Sequence, residues 1–150
     1  MKRFTLSLIV VCSCAPVAWT DTFTATGTRS TEDASAPDPE SGTSAQEACA
    51  GLASSKAAPT LTVTFPGHGT ATEKIHVVVG AQSCDLTVDS DTDGVVFVSD
   101  ATPCAALVAP GSPGQSTATV YGSTSPSQLL FQWTYSTICT IDDAYSLDKK

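Results

Sequence analysis

Carboxylates at alternate positions mark a segment whose spacing matches a metal-binding loop. Residues 89–100 place Asp89, Asp91 and Asp93 at the first, third and fifth positions of a twelve-residue segment, with glycine at the sixth and Asp100 at the twelfth. This pattern resembles the calcium loop of EF-hands, in which oxygen ligands at alternate positions wrap one Ca²⁺. The sequence therefore names Ca²⁺ as its one candidate cofactor, with these four aspartates as ligands.

The same segment also predicts a solvent-exposed hairpin turn. Apolar residues alternate over 84–88 and form a run over 95–98, which predicts flanking strands where an EF-hand has helices. Asp93-Gly94 is a favoured dipeptide at hairpin tips because such turns need positive φ. The hairpin is the favoured interpretation, and calcium binding is the alternative.

Four cysteines outside the N-terminal region predict two disulfides: Cys49, Cys84, Cys104 and Cys139. No Cys-x-x-Cys pair is present to suggest a metal site. The interval from Cys49 to Cys84 equals that from Cys104 to Cys139, and a faint likeness between the two segments suggests a two-unit internal repeat. The repeat favours the pairs Cys49–Cys84 and Cys104–Cys139. Nested pairing, Cys84–Cys104 with Cys49–Cys139, is the main alternative, and crossed pairing is the third.

No catalytic constellation accompanies the two histidines, His68 and His76. Acyl-transfer chemistry needs a nucleophile, a base and an orienting group, and no nucleophile motif is present. The aromatic residues Phe131, Trp133 and Tyr135 alternate on one strand face, which is typical of a core. The chain is therefore predicted to be no enzyme.

The elements that position these residues are predicted to be short strands. Alternating apolar residues indicate six or seven of them, with one or two short helical turns, the first carrying Cys49 after a capping box at 44–47. This pattern predicts an all-β fold, a β-sandwich of immunoglobulin-like size. The strands are expected at 60–65, 75–79, 84–88, 95–98, 117–121 and along 129–141.

Residues 1–20 are predicted to be a signal peptide, because Lys2 and Arg3 precede an apolar run too short to span a membrane. A cut after Ala18 and a cut after Thr20 each fit the cleavage pattern imperfectly. Residues 11–14 (Val-Cys-Ser-Cys) also resemble a bacterial lipobox, which would place a lipid on Cys14.

Residues 21–45 are rich in Ser, Thr, Pro, Ala and acid, which predicts a disordered tether. Residues 46–150 are then the disulfide-stabilised β domain. Loss of Lys2 and Arg3 leaves 5 basic against 15 acidic residues, a net charge of −10. Such a charge disfavours nucleic acid, and contact with a membrane is expected only through the N-terminal lipid.

Together these features predict a secreted or cell-surface protein that binds a protein or glycan at a cell surface and is displayed on a flexible tether. One alternative is a secreted inhibitor or effector acting through an exposed loop, for which 66–69 and 110–114 are candidates. Another is an extracellular domain stabilised by calcium.

Overall fold

A computed structural model describes residues 19–32, 49, 51–52, 57–65, 73–92, 94–109, 111–122, 125–136 and 139–150. Within these residues, nine antiparallel strands form one sheet. A short helix, α1 (Thr102–Val108), packs against it. The strands are β1 (Thr22–Glu32), β2 (Leu61–Thr64), β3 (Lys74–Val79), β4 (Gln82–Thr87), β5 (Ser90–Thr92), β6 (Val95–Val98), β7 (Gln115–Tyr121), β8 (Gln128–Ser136) and β9 (Cys139–Lys149).

The sheet order is β4-β3-β2-β1-β9-β8-β7-β6-β5, and the sheet curls into a half-barrel. The predicted all-β class is confirmed. The predicted sandwich is replaced by a single curved sheet, whose inward face buries the core. The strands expected at 60–65, 75–79, 84–88, 95–98 and 117–121 correspond to β2, β3, β4, β6 and β7. The stretch 129–141 spans β8 and the start of β9, which pair as neighbours.

The chain connectivity explains why the sheet curls. β4 and β5 lie at opposite edges of the sheet, yet only Val88 and Asp89 separate them in sequence. Nine flat strands would hold these edges about 38 Å apart, whereas this connection spans only about 10 Å. The Val88 N–H donates to the Glu73 carbonyl at 3.0 Å and the Asp89 N–H to the Phe97 carbonyl at 2.9 Å. The sheet must therefore bend until its two edges approach each other at this connection.

The centre of the sheet is the long β1–β9 pair, and no strand was expected where β1 lies. Phe23 and Ala25 of β1 are buried, and Gly27 lies under the ring of Tyr145, where an added Cβ would come within 2.5 Å of ring carbons. The tether prediction is wrong for residues 22–32. β1 needs few large apolar side chains of its own because its neighbour β9 supplies them, among them the buried Tyr145 ring over Gly27. Residues 33–45 lie outside the described part.

The disulfides follow the nested pattern, Cys49–Cys139 and Cys84–Cys104. The favoured pairing, Cys49–Cys84 with Cys104–Cys139, is wrong because β4 lies at the sheet edge, where α1 packs and brings Cys104 to Cys84. Cys139 begins β9 at the centre of the sheet and meets Cys49, which is helical as predicted. The bridges join the two halves of the sequence, so the two-unit repeat is not confirmed.

Candidate functional site

The predicted calcium loop forms a hairpin followed by the approach to α1. Thr92 pairs with Val95 across the β5–β6 hairpin, and Gly94 at its tip has φ of +83°. This left-handed conformation is the reason for glycine at this position. Strand β4 precedes the segment, and strands β5 and β6 lie within it, as the hairpin interpretation expected.

Two of its carboxylates accept hydrogen bonds from nearby backbone amides. The Ser99 N–H donates to Asp89, and the Thr102 N–H donates to Asp100 Oδ1 at 2.9 Å. The first contact lowers the pKa of Asp89 mainly through the backbone of Ser99, and contacts from the Thr102 side chain and backbone lower the pKa of Asp100.

The other two predicted ligands do not complete a cluster in the described part of the chain. Asp91 lies on β5 opposite Val96, whose side chain is buried, and Asp93 lies outside the described residues. Among the residues that the structure describes, no three acidic, histidine or cysteine side chains are grouped to hold a metal ion. Calcium binding stays a prediction.

A histidine–carboxylate pair lies on the outer face near one edge of the sheet. His76 Nδ1 and Asp85 Oδ1 are 2.7 Å apart, and both side chains are about half exposed. Thr64 is the cross-strand partner of His76, but its hydroxyl lies 3.0 Å from that of Thr22. His68 is not among the described residues. The pair is an exposed side-chain contact of the kind that contributes little to stability.

The inward face contains a buried ion pair. The Arg29 guanidinium donates to both Asp143 oxygens at 2.5 Å, and the Trp133 indole N–H donates to the same carboxylate at 3.1 Å. Arg29 also donates to the Val108 carbonyl at 2.9 Å, which ties the end of α1 to the sheet. The hydrogen bonds with Asp143 raise the pKa of Arg29 despite its burial. We assign this cluster a structural role, because its polar groups bind one another and join α1 to the sheet.

The outer face divides into a charged half and an uncharged half. Strand alternation places Lys74, His76 and Asp85 on the outer side of β3 and β4, and Asp142 and Asp148 on the outer side of β9. On the outer side of β5, β6, β7 and β8 the described side chains are uncharged. They are Ser90, Thr92, Val95, Phe97, Gln115, Thr117, Thr119, Tyr121, Gln128, Leu130, Gln132 and Thr134.

Within the uncharged half, three large hydrophobic side chains form an exposed cluster, here called the outer patch: Val95, Phe97 and Tyr121. Their exposed fractions are 37%, 39% and 38%. Val95 pairs directly with Tyr121, and Thr119 lies between Phe97 and Leu130 in adjacent strands. Thr119, Gln128 and Leu130 border the patch. The arrangement offers two aromatic rings beside hydroxyl and amide groups.

The outer patch is not apparent in the sequence, whereas the placement of Phe131 and Trp133 in the core is. Phe131 and Trp133 are fully buried and their rings stack at 4.9 Å, while Tyr135 is half-buried. Phe97 lies in an apolar run, where the sequence alone does not show which residues face outward. The register with β7 resolves this, because Phe97 pairs with half-buried Thr119 and Val96 with buried Val120.

Of the remaining predicted sites, one loop is largely described and the others are not. Gly111, Ser112 and Gly114 of the 110–114 loop are exposed. Pro110, the 66–69 loop and the lipidation candidate Cys14 are outside the described residues.

The chain has no match among protein-family models, curated proteins or solved structures. The two disulfides fit an extracellular protein. In the described ranges, no helix has the length and apolar character needed to cross a membrane.

Proposed function

We propose that this chain is an exported, non-enzymatic binding module that recognises a neutral glycan at a cell surface through the outer patch. The observation that carries the proposal is the exposure of Phe97 and Tyr121 on an uncharged half of the sheet in a chain of net charge −8. Aromatic rings can pack against the apolar face of a sugar, while nearby hydroxyl and amide groups bind its hydroxyls.

The size of the patch favours a glycan over a protein partner. Three side chains exposed to less than two-fifths offer on the order of 200 Å² of apolar surface. A stable protein interface buries about 800 Å² on each partner. A short sugar chain can bind through a contact area of this size. Thr119 and Gln128, which border the patch, would supply its polar contacts.

The absence of charge in the patch predicts how binding responds to salt. A cationic partner would be attracted by the acidic residues of the protein, and its affinity would fall as salt screens that attraction. A neutral glycan held by ring contacts and neutral hydrogen bonds does not depend on this attraction. Its affinity should change little between about 50 and 500 mM salt.

The test is a binding screen of the exported chain against immobilised neutral and charged glycans. The F97A/Y121A double variant should lose at least about tenfold in affinity for the neutral ligand. Its melting temperature should stay close to that of the parent chain, because both side chains lie on the outer face. The matched control, H76A/D85N, changes the charged half and should bind normally.

Unchanged binding by F97A/Y121A would show that the outer patch is not the glycan-binding site. Capture of a cell-surface protein with no glycan binding would favour a protein partner. Cleavage of the glycan by the parent chain would contradict the non-enzymatic assignment.

A further inference from the structure

Trp19 lies inside the folded domain, although it falls within the segment predicted as a signal peptide. It is only 5% exposed. Its ring meets Phe65 edge-on with centroids 5.4 Å apart, and Phe65 meets Phe23 in the same way at 5.6 Å. Trp19 therefore covers one end of the core between β1 and β2.

The residues after Trp19 are also fixed in the domain. The Phe65 N–H donates to the Asp21 carbonyl at 3.1 Å, and the Lys150 N–H donates to the Thr22 carbonyl at 3.1 Å. Lys149 Nζ donates to Asp21 Oδ2 at 2.6 Å. The folded domain therefore includes Trp19 and the residues that follow it.

We propose that export processing cuts this chain before Trp19, so that the mature protein retains it. This inference rests on the proposed export of the chain. A cut after Thr20 would remove the indole, uncover Phe65 and place a new α-ammonium group on Asp21 beside the Lys149 ammonium. A cut after Ala18 leaves every one of these contacts intact.

Lipidation of Cys14 would also keep Trp19 in the mature chain, because the cut would then fall before Cys14. The lipid would then be joined to Trp19 through residues 15–18, an extended length of at most about 17 Å. A lipidated form would hold the β domain close to the membrane surface, with no long N-terminal tether between them.

The position of the cut also sets its timing. A peptidase binds the chain around the scissile bond in an extended, accessible form, whereas folding buries Trp19 and engages the backbone of Asp21 and Thr22 in hydrogen bonds. Cleavage after Ala18 must therefore precede folding of the domain.

The deciding experiment is N-terminal sequencing and intact mass measurement of the chain expressed with its own N-terminus. An N-terminus at Trp19, or at any residue from Cys14 to Ala18, supports the proposal, and a lipid mass on Cys14 identifies the second route. An exported chain beginning at Thr20 or later overturns the inference while export stands. A cell-retained chain that still begins at Met1 overturns both the inference and the proposed export.

A second measurement tests the structural basis of the inference. Chains beginning at Trp19 and at Asp21 are compared by thermal melting. Because the shorter chain also lacks the exposed Thr20, a T20A variant of the longer chain controls for the loss of that side chain. Loss of a buried tryptophan should lower the midpoint by roughly 10 °C or more, and T20A should change it little. Equal midpoints for the two chains would contradict the proposal.

Discussion

Asp143 is buried in the centre of the sheet and still carries a full set of partners. Its two oxygens accept two hydrogen bonds from Arg29 and one from the Trp133 indole. Asp142, its neighbour in sequence, lies on the outer face and accepts a hydrogen bond from Gln132 at 3.1 Å. The alternation of β9 thus gives two adjacent aspartates opposite environments. The chemistry of an Asp-Asp pair in sequence does not reveal this difference, but the strand phase does.

Replacing Asp143 with asparagine should destabilise the domain by about 3–5 kcal/mol, because it leaves the Arg29 guanidinium buried without a counter-charge. The matched control is Asp142→Asn, which should stay within about 0.5 kcal/mol of the parent because its site is partly solvated. Urea unfolding followed by tryptophan fluorescence measures both. Equal effects of the two substitutions would show that the buried pair has no special role.

Alkaline pH should destabilise the domain through its buried tyrosines. Burial raises the pKa of Tyr135 to about 12 and raises that of Tyr145 further. The Tyr145 hydroxyl is buried with no hydrogen-bond partner among the described residues. Since the folded-state pKa lies above the ordinary value of about 10, the stabilisation is fully present below pH 10 and is lost as pH rises through 12.

Absorbance at 295 nm should therefore show tyrosine ionisation at higher pH in the native chain than in urea. Tyr135→Phe should reduce the loss of stability between about pH 10 and 12. Coincident titration curves for native and denatured chains would contradict burial of these hydroxyls.

Among the elements, most strands were predictable from their own residues, whereas β1 and its pairing with β9 were not. β2, β3, β4 and β6 carry alternating or continuous apolar residues, so their periodicity reveals them. β1 carries Gly27 and Arg29 on its inward side, where a strand pattern calls for large apolar side chains. Gly27 makes room for the Tyr145 ring, and Arg29 is neutralised by Asp143. Both compensations come from β9, more than a hundred residues away, and no local pattern encodes them.

Removing β1 should therefore unfold the domain. A chain of residues 46–150 lacks the strand that joins β2 to β9, so it leaves two unpaired edges at the centre of the sheet and an uncompensated buried Asp143. We expect residues 19–150 to melt cooperatively and residues 46–150 to show no cooperative transition by circular dichroism. A truncated chain with an unchanged midpoint would restore the tether interpretation.

For the candidate site, the sequence supplied the acidic loop but not the outer patch. The aspartates stand out by spacing, whereas the exposure of Phe97 depends on which face of β6 lies inward. That choice follows from the curl of the whole sheet, since β6 pairs with β7 near the edge that meets β4. The same curl brings Cys84 to Cys104 across the opening. Features that depend on sheet closure therefore needed the three-dimensional structure.

The closure also places the 89–100 loop where metal binding would act on the whole molecule. Asp89 lies in the connection between the two sheet edges, and Asp100 precedes α1, which packs on β4. Lowered pKa values of Asp89 and Asp100 mean that their hydrogen bonds stabilise the fold above the ordinary Asp range and are lost as pH falls below it. A Ca²⁺ ion would have to add to these contacts or replace them.

Thermal melting in millimolar calcium, magnesium or chelator distinguishes a calcium loop from an acidic turn. An ion that binds only the folded chain stabilises it by about 2.7 kcal/mol at a hundredfold excess over Kd, which raises the midpoint of so small a domain by roughly 10 °C or more. If the calcium prediction holds, Asp91→Ala abolishes that rise, while the control Ser90→Ala keeps it. If the segment is only a turn, Gly94→Ala lowers the metal-free midpoint more than Asp91→Ala does, because alanine tolerates a φ of +83° poorly. An identical midpoint in all three solutions would reject calcium binding, because a ligand that prefers the folded state must raise the midpoint.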